Sequence, residues 1–520
     1  MPPTATHKHS QTHSRTHARS RARRRDVSAI SDALADFASS SLGSLSASVS
    51  SRLDSLFGSS HDEEQPTLAE RAYRARRVSV TFGRIYLGIK SLQLLERTLA
   101  PDDMRRRWSR HHTESAQAIY ETAIELRGLI LKGCQFLGSR ADILPPEYLE
   151  ILSKLQDEVP AKPSAVARAI VERELRLPIE DVFSEFSEEP IAAASLAQVH
   201  HARLKTGEEV AVKIQYPEIP ELLRGDIANL RTLFRAVGIV ERDVDFMPLI
   251  DELATHVPEE LDFLSEARNA ERVDEFFGDR DDIRVPAMKW RWSTQRVLVM
   301  EYIHGIKISN REALEAAGVD RNALYRIVVE AYGEQILRRG FFHADPHPGN
   351  LLVEPREQGP VLVFLDFGLA KRLPTDFRKG VQGFTTALFR ADAEAMATAL
   401  LDMGFETRDG SRDSLDAITK IVLDVAMEVR EKGSFDPRQM RAAGEELPRL
   451  VRENPIVRMP THIVLLGRVL GLLSGLGRTL DANLDLVSVI LPYVVAPPVP
   501  PADASKRAAP PDESPESAAS

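Results

Sequence analysis

The stretch "HADPHPGN", His343 to Asn350, sets two histidines, two prolines, an aspartate and an asparagine between "ILRRGFF" and the apolar "LLV". His343 and His347 stand four apart, a spacing that can ligate zinc on a helix. Pro346 and Pro348 oppose a helix there, and no cysteine or third ligand lies close by. Asp345 and Asn350 stand five apart. At that spacing an aspartate can orient or deprotonate an attacking oxygen while the asparagine offers its amide oxygen to a divalent cation. A loop closed only by its own hydrogen bonds is the third reading, and the sequence on either side has to choose.

Downstream comes "VLVFLDFGLAKRL" (361–373), which together with "LLV" reads as a strand pair. Asp366 follows the apolar run, where a second carboxylate can hold Mg2+ between phosphate oxygens, and Gly368 lets the backbone turn away. Upstream, "VAVKI" puts Lys213 on a strand among apolar neighbours. Its ammonium then needs a negative partner, such as nucleotide phosphates or a helix carboxylate. "EELDFLSEARNAERV" (259–273) supplies acids on a helix expected from about Glu259 to Phe277. Asp262 and Glu266 are four apart on one face, and Glu266 is favoured as the partner of Lys213.

The order of elements fits these four stretches. "TESAQAIYETAIELRGLILKGCQFLGSR" predicts a helix capped at Thr113, with apolar residues at 116, 119, 120, 123, 126, 129 and 130. "LPPEYLEILSKLQDEVP" predicts a second helix with Pro146 in its first turn. "PIAAASLAQVHHARLKTGEEVAVKIQ" alternates and turns, with a hairpin at "KTGEE". "RVLVMEYI" is a further strand. Helices follow from Arg311 to Arg339 and from the second loop to about Pro492. The expectation is an α+β, two-lobed protein-kinase-like fold with an N-terminal helical extension. The expected divisions are 1–60 (basic, then Ser-rich, disordered), 61–165 (helical extension), 166–305 (N-lobe), 306–495 (helical C-lobe) and 496–520 (disordered tail).

Composition narrows the function. The chain has 520 residues, 43% hydrophobic and 28% charged, as in ordinary globular proteins. Its formal charge is −10, yet residues 1–25 hold seven Lys or Arg, four His and no acid. Removing those seven charges leaves about −17 for the remainder, which disfavours a nucleic-acid binder. The Arg- and Ser-rich start reads as a solvated basic tail or as an organelle transit peptide. The first implies a cytoplasmic or peripheral-membrane protein if bacterial, the second a mitochondrial or plastid one. With Cys134 alone, an intramolecular disulfide cannot form. No apolar run is long enough to span a bilayer, although the 461–495 helices could touch a membrane surface.

Taken together the chain resembles the UbiB/AarF family of atypical kinase-like proteins, over roughly Thr113 to Pro492. "AAAS", Ala192 to Ser195, stands where the family has an alanine-rich phosphate loop. Glu260 and Asp262 match its E-x-D motif, and "HADPHPGN" and "DFG" match residue by residue. Its K-x-G-Q motif reads "KGCQ": Lys132 and Gln135 are kept, three apart on one helix face, and Cys134 replaces the glycine.

The resemblance implies an atypical kinase or ATPase that uses ATP and Mg2+ and supports ubiquinone or other isoprenoid-lipid metabolism. Its implied partners are an isoprenoid lipid or quinone precursor, a membrane surface, and proteins of lipid biosynthesis. In that assignment Lys213 meets the α- and β-phosphates, Glu266 fixes Lys213, and Asp345 is the acid–base or water-orienting group. Asn350 and Asp366 hold the metal. The backbone of Glu301 to Ile303 meets adenine, in front of Met300. Ala192, Ala193, Ala194 and Ser195 form a stiff phosphate turn with inward methyl groups, and Lys132, Gln135, Glu260 and Asp262 cover the site. Two other classes stay open. One is a nucleotide-binding pseudokinase scaffold that regulates a lipid-biosynthesis complex. The other is a small-molecule phosphotransferase.

Overall fold

The computed structural model describes residues 67–96, 100–138, 144–156, 161–240, 261–432, 456–458 and 460–496, with isolated positions at 247–258 and at 499. The basic start, the Ser-rich stretch up to 60, Glu260 and nearly all of the Pro- and Ala-rich tail lie outside them. The chain divides into two compact units. One runs to Lys205 and takes in Val212–Asp262 and Gln295–Val297. The other takes Thr206–Ala211, Phe263–Thr294 and the chain from Leu298 onward.

The first unit opens with helices. Helix α1, Leu68–Leu95, is capped by the Thr67 hydroxyl, which accepts from the Glu70 N–H at 3.1 Å. Helix α2 is Pro101–Leu126, with proline in its first turn and Asp102 and Asp103 at the positive end of its dipole. The sequence expectation, one helix from Thr113 to 140, is therefore corrected at its start and in its middle. Residues 101–112 are too polar to show an apolar period, so the true start was hidden. The continuous run also breaks, because Arg127 and Gly128 take φ of +54° and +55°. Glycine adopts that conformation freely and arginine rarely does. Helix α3, Gly128–Gly138, then carries Lys132 and Gln135, and α4 is Pro146–Leu152, with Pro146 in its first turn as expected. Helix α5, Ser164–Leu175, has no counterpart in the sequence reading.

A buried arginine fills the corner between α2 and α3. Arg74 of α1 donates to the Leu126 carbonyl, which ends α2, and pairs with Asp226 of helix α6, Ile219–Val240. Its Nε donates to Asp226 Oδ1 at 3.1 Å. Both side chains are buried. Burial pushes the Asp226 carboxyl above its usual range, against the pull of Arg74. Leu129 packs on α6 through Ile219, Leu223 and Ile227, so α3 is fixed to the same helix. Cys134 faces the other way, into a core of Ala116, Ala123, Leu131, Tyr148, Leu152 and Leu155. Burial pushes its thiol up to about 12.

Strands follow. β1, Phe183–Phe186, pairs antiparallel with β3, Ala197–Leu204, with Phe186 opposite Ala202. β2 is only Ala192–Ala193 and lies on β3 with Ala193 opposite Gln198. After the turn at Gly207, β4 is Glu209–Gln215. With β6, Val297–Glu301, the sheet order is β1-β3-β4-β6, and the division into units passes along β4 and β6 themselves.

The second unit begins with α7, Phe263–Asp274. This corrects the expected start near Glu259: Asp262 precedes the helix, so it and Glu266 do not share a helical face. A four-stranded sheet orders β5 (Ile283–Arg284), β10 (Gly359–Phe364), β9 (Leu351–Arg356) and β7 (Ile306–Lys307). Helices α8 (Arg311–Ala316) and α9 (Arg321–Gly333) precede a π-helical turn, Glu334–Arg339, in which Glu334 pairs with Arg338 and Arg339. The short pair β8 (Phe341–His343) and β11 (Ala370–Arg372) comes next in space. Helices α10 (Thr375–Phe389), α11 (Ala393–Asp402), α12 (Asp413–Lys432), α13 (Thr461–Thr479) and α14 (Leu486–Val495) complete the unit. Its core runs through Val328, Tyr332, Phe342, Leu351, Phe364 and Phe367.

Two predictions come from the helical unit. Arg74→Met leaves Asp226 buried without its cation and should lower stability by about 3 kcal/mol, read as a drop in urea midpoint. Arg74→Met with Asp226→Leu should recover most of that loss, and an unchanged midpoint in the single variant would contradict the role of the pair. Cys134 should resist alkylation in the native protein at neutral pH and react only in denaturant, by thiol counting. The folded chain holds a proton that the unfolded thiol releases above its ordinary value, so stability should also decline as pH rises through that range.

Candidate active site

Two antiparallel pairs bracket the two loops. β8 leads into residues 344–350 and these into β9; β10 leads into 365–369 and these into β11. His343 lies opposite Ala370, and Leu351 opposite Phe364. Each loop thus begins and ends on a strand paired with a strand of the other. Main-chain bonds close the frame: the Leu365 N–H donates to the Asn350 carbonyl at 3.0 Å, and the Ala344 N–H to that of Leu369 at 2.8 Å.

Inside the first loop the prolines leave few donors to satisfy. The His347 N–H donates to Asp345 O at 2.7 Å, and that of Asn350 to His347 O at 2.9 Å. His347 Nδ1 accepts from the Gly349 N–H at 3.1 Å. The Asn350 Nδ2 donates to the carbonyl and carboxylate of Asp345 at 3.2 and 3.3 Å. Asp345 and Asn350 therefore hold each other, with the asparagine side-chain N–H turned to the aspartate.

His343 is 1% exposed and joins the loops from below. Its main-chain N–H donates to Gln335 Oε1 at 2.8 Å. One ring nitrogen, Nε2, meets the Asp366 carbonyl, and Nδ1 lies 3.1 Å from the Tyr332 hydroxyl. A carbonyl only accepts, so Nε2 carries the proton and Nδ1 accepts from tyrosine. Burial, with a contribution from Asp345, holds the Tyr332 hydroxyl well above the ordinary phenol range, which keeps it a donor. The rings of Phe364 and Phe367 lie 5.7 and 5.6 Å from the imidazole. Both its nitrogens are thus turned to protein oxygens, which removes the zinc reading of His343 and His347.

In the second loop Asp366 Oδ1 accepts from the Gly368 N–H at 3.0 Å. Asn269 of α7 donates to the Phe367 carbonyl at 3.2 Å. Glu266, in the first turn of α7, is 3% exposed. A Cβ at Gly368 would lie 3.3 Å from Asp366 Oδ1 and 3.7 Å from Glu266 Oε2, so the two carboxylate oxygens are at most about 7 Å apart. A side chain at 368 would crowd the Asp366 carboxylate, which would have to give by a few tenths of an ångström.

The remaining residues singled out by the sequence fall as follows. Glu301 ends β6; its N–H donates to Ala287 O at 2.9 Å and its carboxylate pairs with Arg284. The Tyr302 N–H donates to Glu209 O at 3.1 Å, and Ile303 and Met300 are buried. In the first unit Lys213 is half-buried on β4 between buried Val212 and Ile214. Ala192 and Ala193 form β2, and the Ala194 N–H donates to Ala197 O at 2.8 Å, closing a tight turn over buried Ser195. Ala192 and Ala194 are exposed, Ala193 is half-buried, and none of the three has positive φ. Gln135 donates to Leu155 O at 2.8 Å, Lys132 is half-buried on α3, and Asp262 is half-buried ahead of α7.

Sequence reasoning missed Tyr332, Gln335 and Asn269. None belongs to a motif, and their roles exist only once His343 and Phe367 are placed. Among the described residues no group of three or more His, Cys, Asp or Glu could hold a metal. Asp345, Asp366 and the amide oxygen of Asn350 are hard donors in small number. That suits Mg2+, which takes one or two protein carboxylates and fills its shell with substrate oxygens and water.

Residues 154–400 match the model of the ABC1 atypical kinase-like domain. The chain is 35% identical over 410 residues to the chloroplastic Protein ACTIVITY OF BC1 COMPLEX KINASE 8 of Arabidopsis thaliana, covering 73% of this chain and 54% of that protein. It is 38% identical over 288 residues to AarF domain-containing protein kinase 1 of Xenopus tropicalis, covering 55% of each. The chain spans about half the length of these curated relatives. The solved structure of Rv3197 with erythromycin, from Mycobacterium tuberculosis, superposes at a TM-score of 0.52 and 23% identity, over 76% of this chain and 100% of that one. That likeness bears on the fold, which is α+β and kinase-like as the element order implied. By its motifs, its fold and these relatives, the chain belongs to the UbiB/AarF family of ABC1 atypical kinase-like proteins.

Proposed function

We propose that this protein is an ATP-using atypical kinase or ATPase whose chemistry is carried by Asp345, Asn350 and Asp366. The observation that carries the reading is the lacing of the two loops: Asp345 bonded to Asn350, and Asp366 fixed through its own carbonyl by His343. Such rigidity matters because phosphoryl transfer depends on positioning and charge stabilisation more than on covalent work by the protein.

In this assignment Lys213 neutralises the α- and β-phosphates, and Glu266, buried on α7, balances its ammonium. Asp345 orients the attacking oxygen or takes its proton. Asn350 and Asp366 would hold Mg2+, which when bound supplies positive charge against the phosphate oxygens. The Glu301 carbonyl and the Ile303 N–H face adenine, since the N–H groups of Glu301 and Tyr302 already serve other carbonyls. The alanine turn gives the phosphates a stiff edge, and Lys132 and Gln135, with the E-x-D acids Glu260 and Asp262, belong to a cover over the nucleotide. Asp262 thereby stays in the site without a helical face shared with Glu266.

Support of ubiquinone or isoprenoid-lipid metabolism is the proposed role of the turnover, with an isoprenoid lipid or quinone precursor, and proteins that make one, as partners. No described helix is long and apolar enough to cross a membrane. The chloroplastic relative favours the plastid alternative. A pseudokinase scaffold would have no need of all three oxygen donors, and a small-molecule phosphotransferase no need of the helix bearing Lys132 and Gln135.

Asp366→Asn should abolish Mg2+-dependent nucleotide turnover, measured as phosphate release, while the thermal melt stays within a degree or two of wild type. An undiminished rate would sink the assignment; tight ATP binding with no turnover by the wild type would leave the scaffold standing. Ala193→Gly should loosen β2 by roughly 0.5–1 kcal/mol and change nucleotide preference or autophosphorylation. If both stay at the wild-type level, the alanine turn is not a determinant.

A further inference from the structure

The outer face of α1 is built unlike a solvated helix face. Val80, Leu87 and Leu94 are 58%, 65% and 58% exposed, and Tyr73 is 51% exposed. They recur every seven residues. At 100° per residue, Arg76, Val80, Arg84, Leu87, Leu94 and Leu95 fall within about 100° of arc. Arg76 and Arg84, both exposed, sit between the apolar residues. From Leu68 to Glu96 the helix has six basic residues and two acids, and the acids, Glu70 and Glu96, stand at its ends.

The inner face is already occupied. Ala75 packs with Leu233 of α6, and Val78 and Phe82 join them. Thr81 bonds Thr122, Arg77 pairs with Glu125, and Gly88 abuts His111, an antiparallel register of α1 on α2. The outer stripe is therefore not a core face waiting for its own domain. The same register sets Leu94 and Leu95 at the end where α2 presents Arg105, Arg106 and Arg107, all exposed. Asp102 pairs with Arg105 there, and Glu114 with Arg110.

We infer that α1 is a membrane-surface helix that lays this stripe on an anionic lipid bilayer. Three features select that occupant. Val80 to Leu95 forms a straight row of about 22 Å on one convex helix, which meets a plane, whereas an acidic amphipathic peptide would want a groove. Arginines interleaved at the same depth can keep their charged ends among phosphate headgroups while the aliphatic chains enter the acyl boundary. The chain as a whole is at −10, so attraction to an anionic surface has to be local, and this basic, apolar strip is local. The inference is independent of the nucleotide chemistry and places membrane contact in the first unit, away from the 461–495 helices.

The test is flotation of the full chain with phosphatidylcholine vesicles, and with vesicles in which about a third of the lipid is phosphatidylglycerol. Wild type should float with the anionic vesicles, much less with the neutral ones, and less again as salt is added. Val80→Glu with Leu87→Glu should weaken binding at least about tenfold, and Arg76→Glu with Arg84→Glu should remove the preference for anionic lipid. Leu470→Glu, at an exposed apolar position of α13, should change nothing. All five positions are exposed, so thermal melts should match wild type. The inference fails if wild type does not float with anionic vesicles, or if the Val80 and Leu87 variant binds as tightly as wild type. It fails equally if the wild type is a dimer that the same variant dissociates without any vesicle binding, since the stripe then belongs to a second copy.

Discussion

A single imidazole sets the geometry on which the rest of the second unit depends. His343 accepts from the Tyr332 hydroxyl on one side and donates to the Asp366 carbonyl on the other, closed in by Phe364 and Phe367. In so apolar a setting an unmatched donor or acceptor costs about 1–3 kcal/mol, so both bonds are enforced. The two bonds fix how the ring is turned. Through it, the backbone of one loop is held to the strand that launches the other. The carboxylates of Asp345 and Asp366 can then be aimed by main-chain geometry rather than by flexible side-chain contacts.

The first unit solves its placement problem differently. The chain turns from α2 to α3 through two residues of positive φ, one of them an arginine, a conformation that persists only where the surroundings enforce it. The enforcing group is the buried pair Arg74 and Asp226, with the Leu126 carbonyl as a third partner. Buried charge holds position well but tolerates no loss of one member. The cysteine in "KGCQ" has a simpler account. It packs as a small apolar residue beside Tyr148 and Leu152, and its burial leaves the thiol protonated and unreactive.

Much of the second unit could be read from the chain. The prolines of "HADPHPGN" marked a loop, the apolar runs before and after it marked strands, and Asp345, Asn350 and Asp366 stood at spacings with a chemical meaning. The alternation around Lys213 likewise gave β4. What escaped had no local signal. The start of α2 has only Met104 and Trp108 among polar residues, too few to show a period, and the break at Arg127 hides inside an unbroken apolar period. Asp262 matched a helical spacing but precedes the helix. Tyr332 and Gln335 look like ordinary helix residues until a buried histidine, eight or eleven positions later, needs an acceptor and a donor.

The π-helical turn at Glu334–Arg339 has a consequence for how such a chain tolerates insertion and deletion. A π turn houses one residue more than α geometry requires, a form of slack inside an otherwise tight helix. Losing a residue there would let the turn relax to α geometry with α9 and β8 left in place. The penalty would fall on one side chain: Gln335, rotated by about 100°, would no longer reach the His343 amide. A gap at this point in a homologous sequence thus reads as a chain that has found another acceptor for that amide.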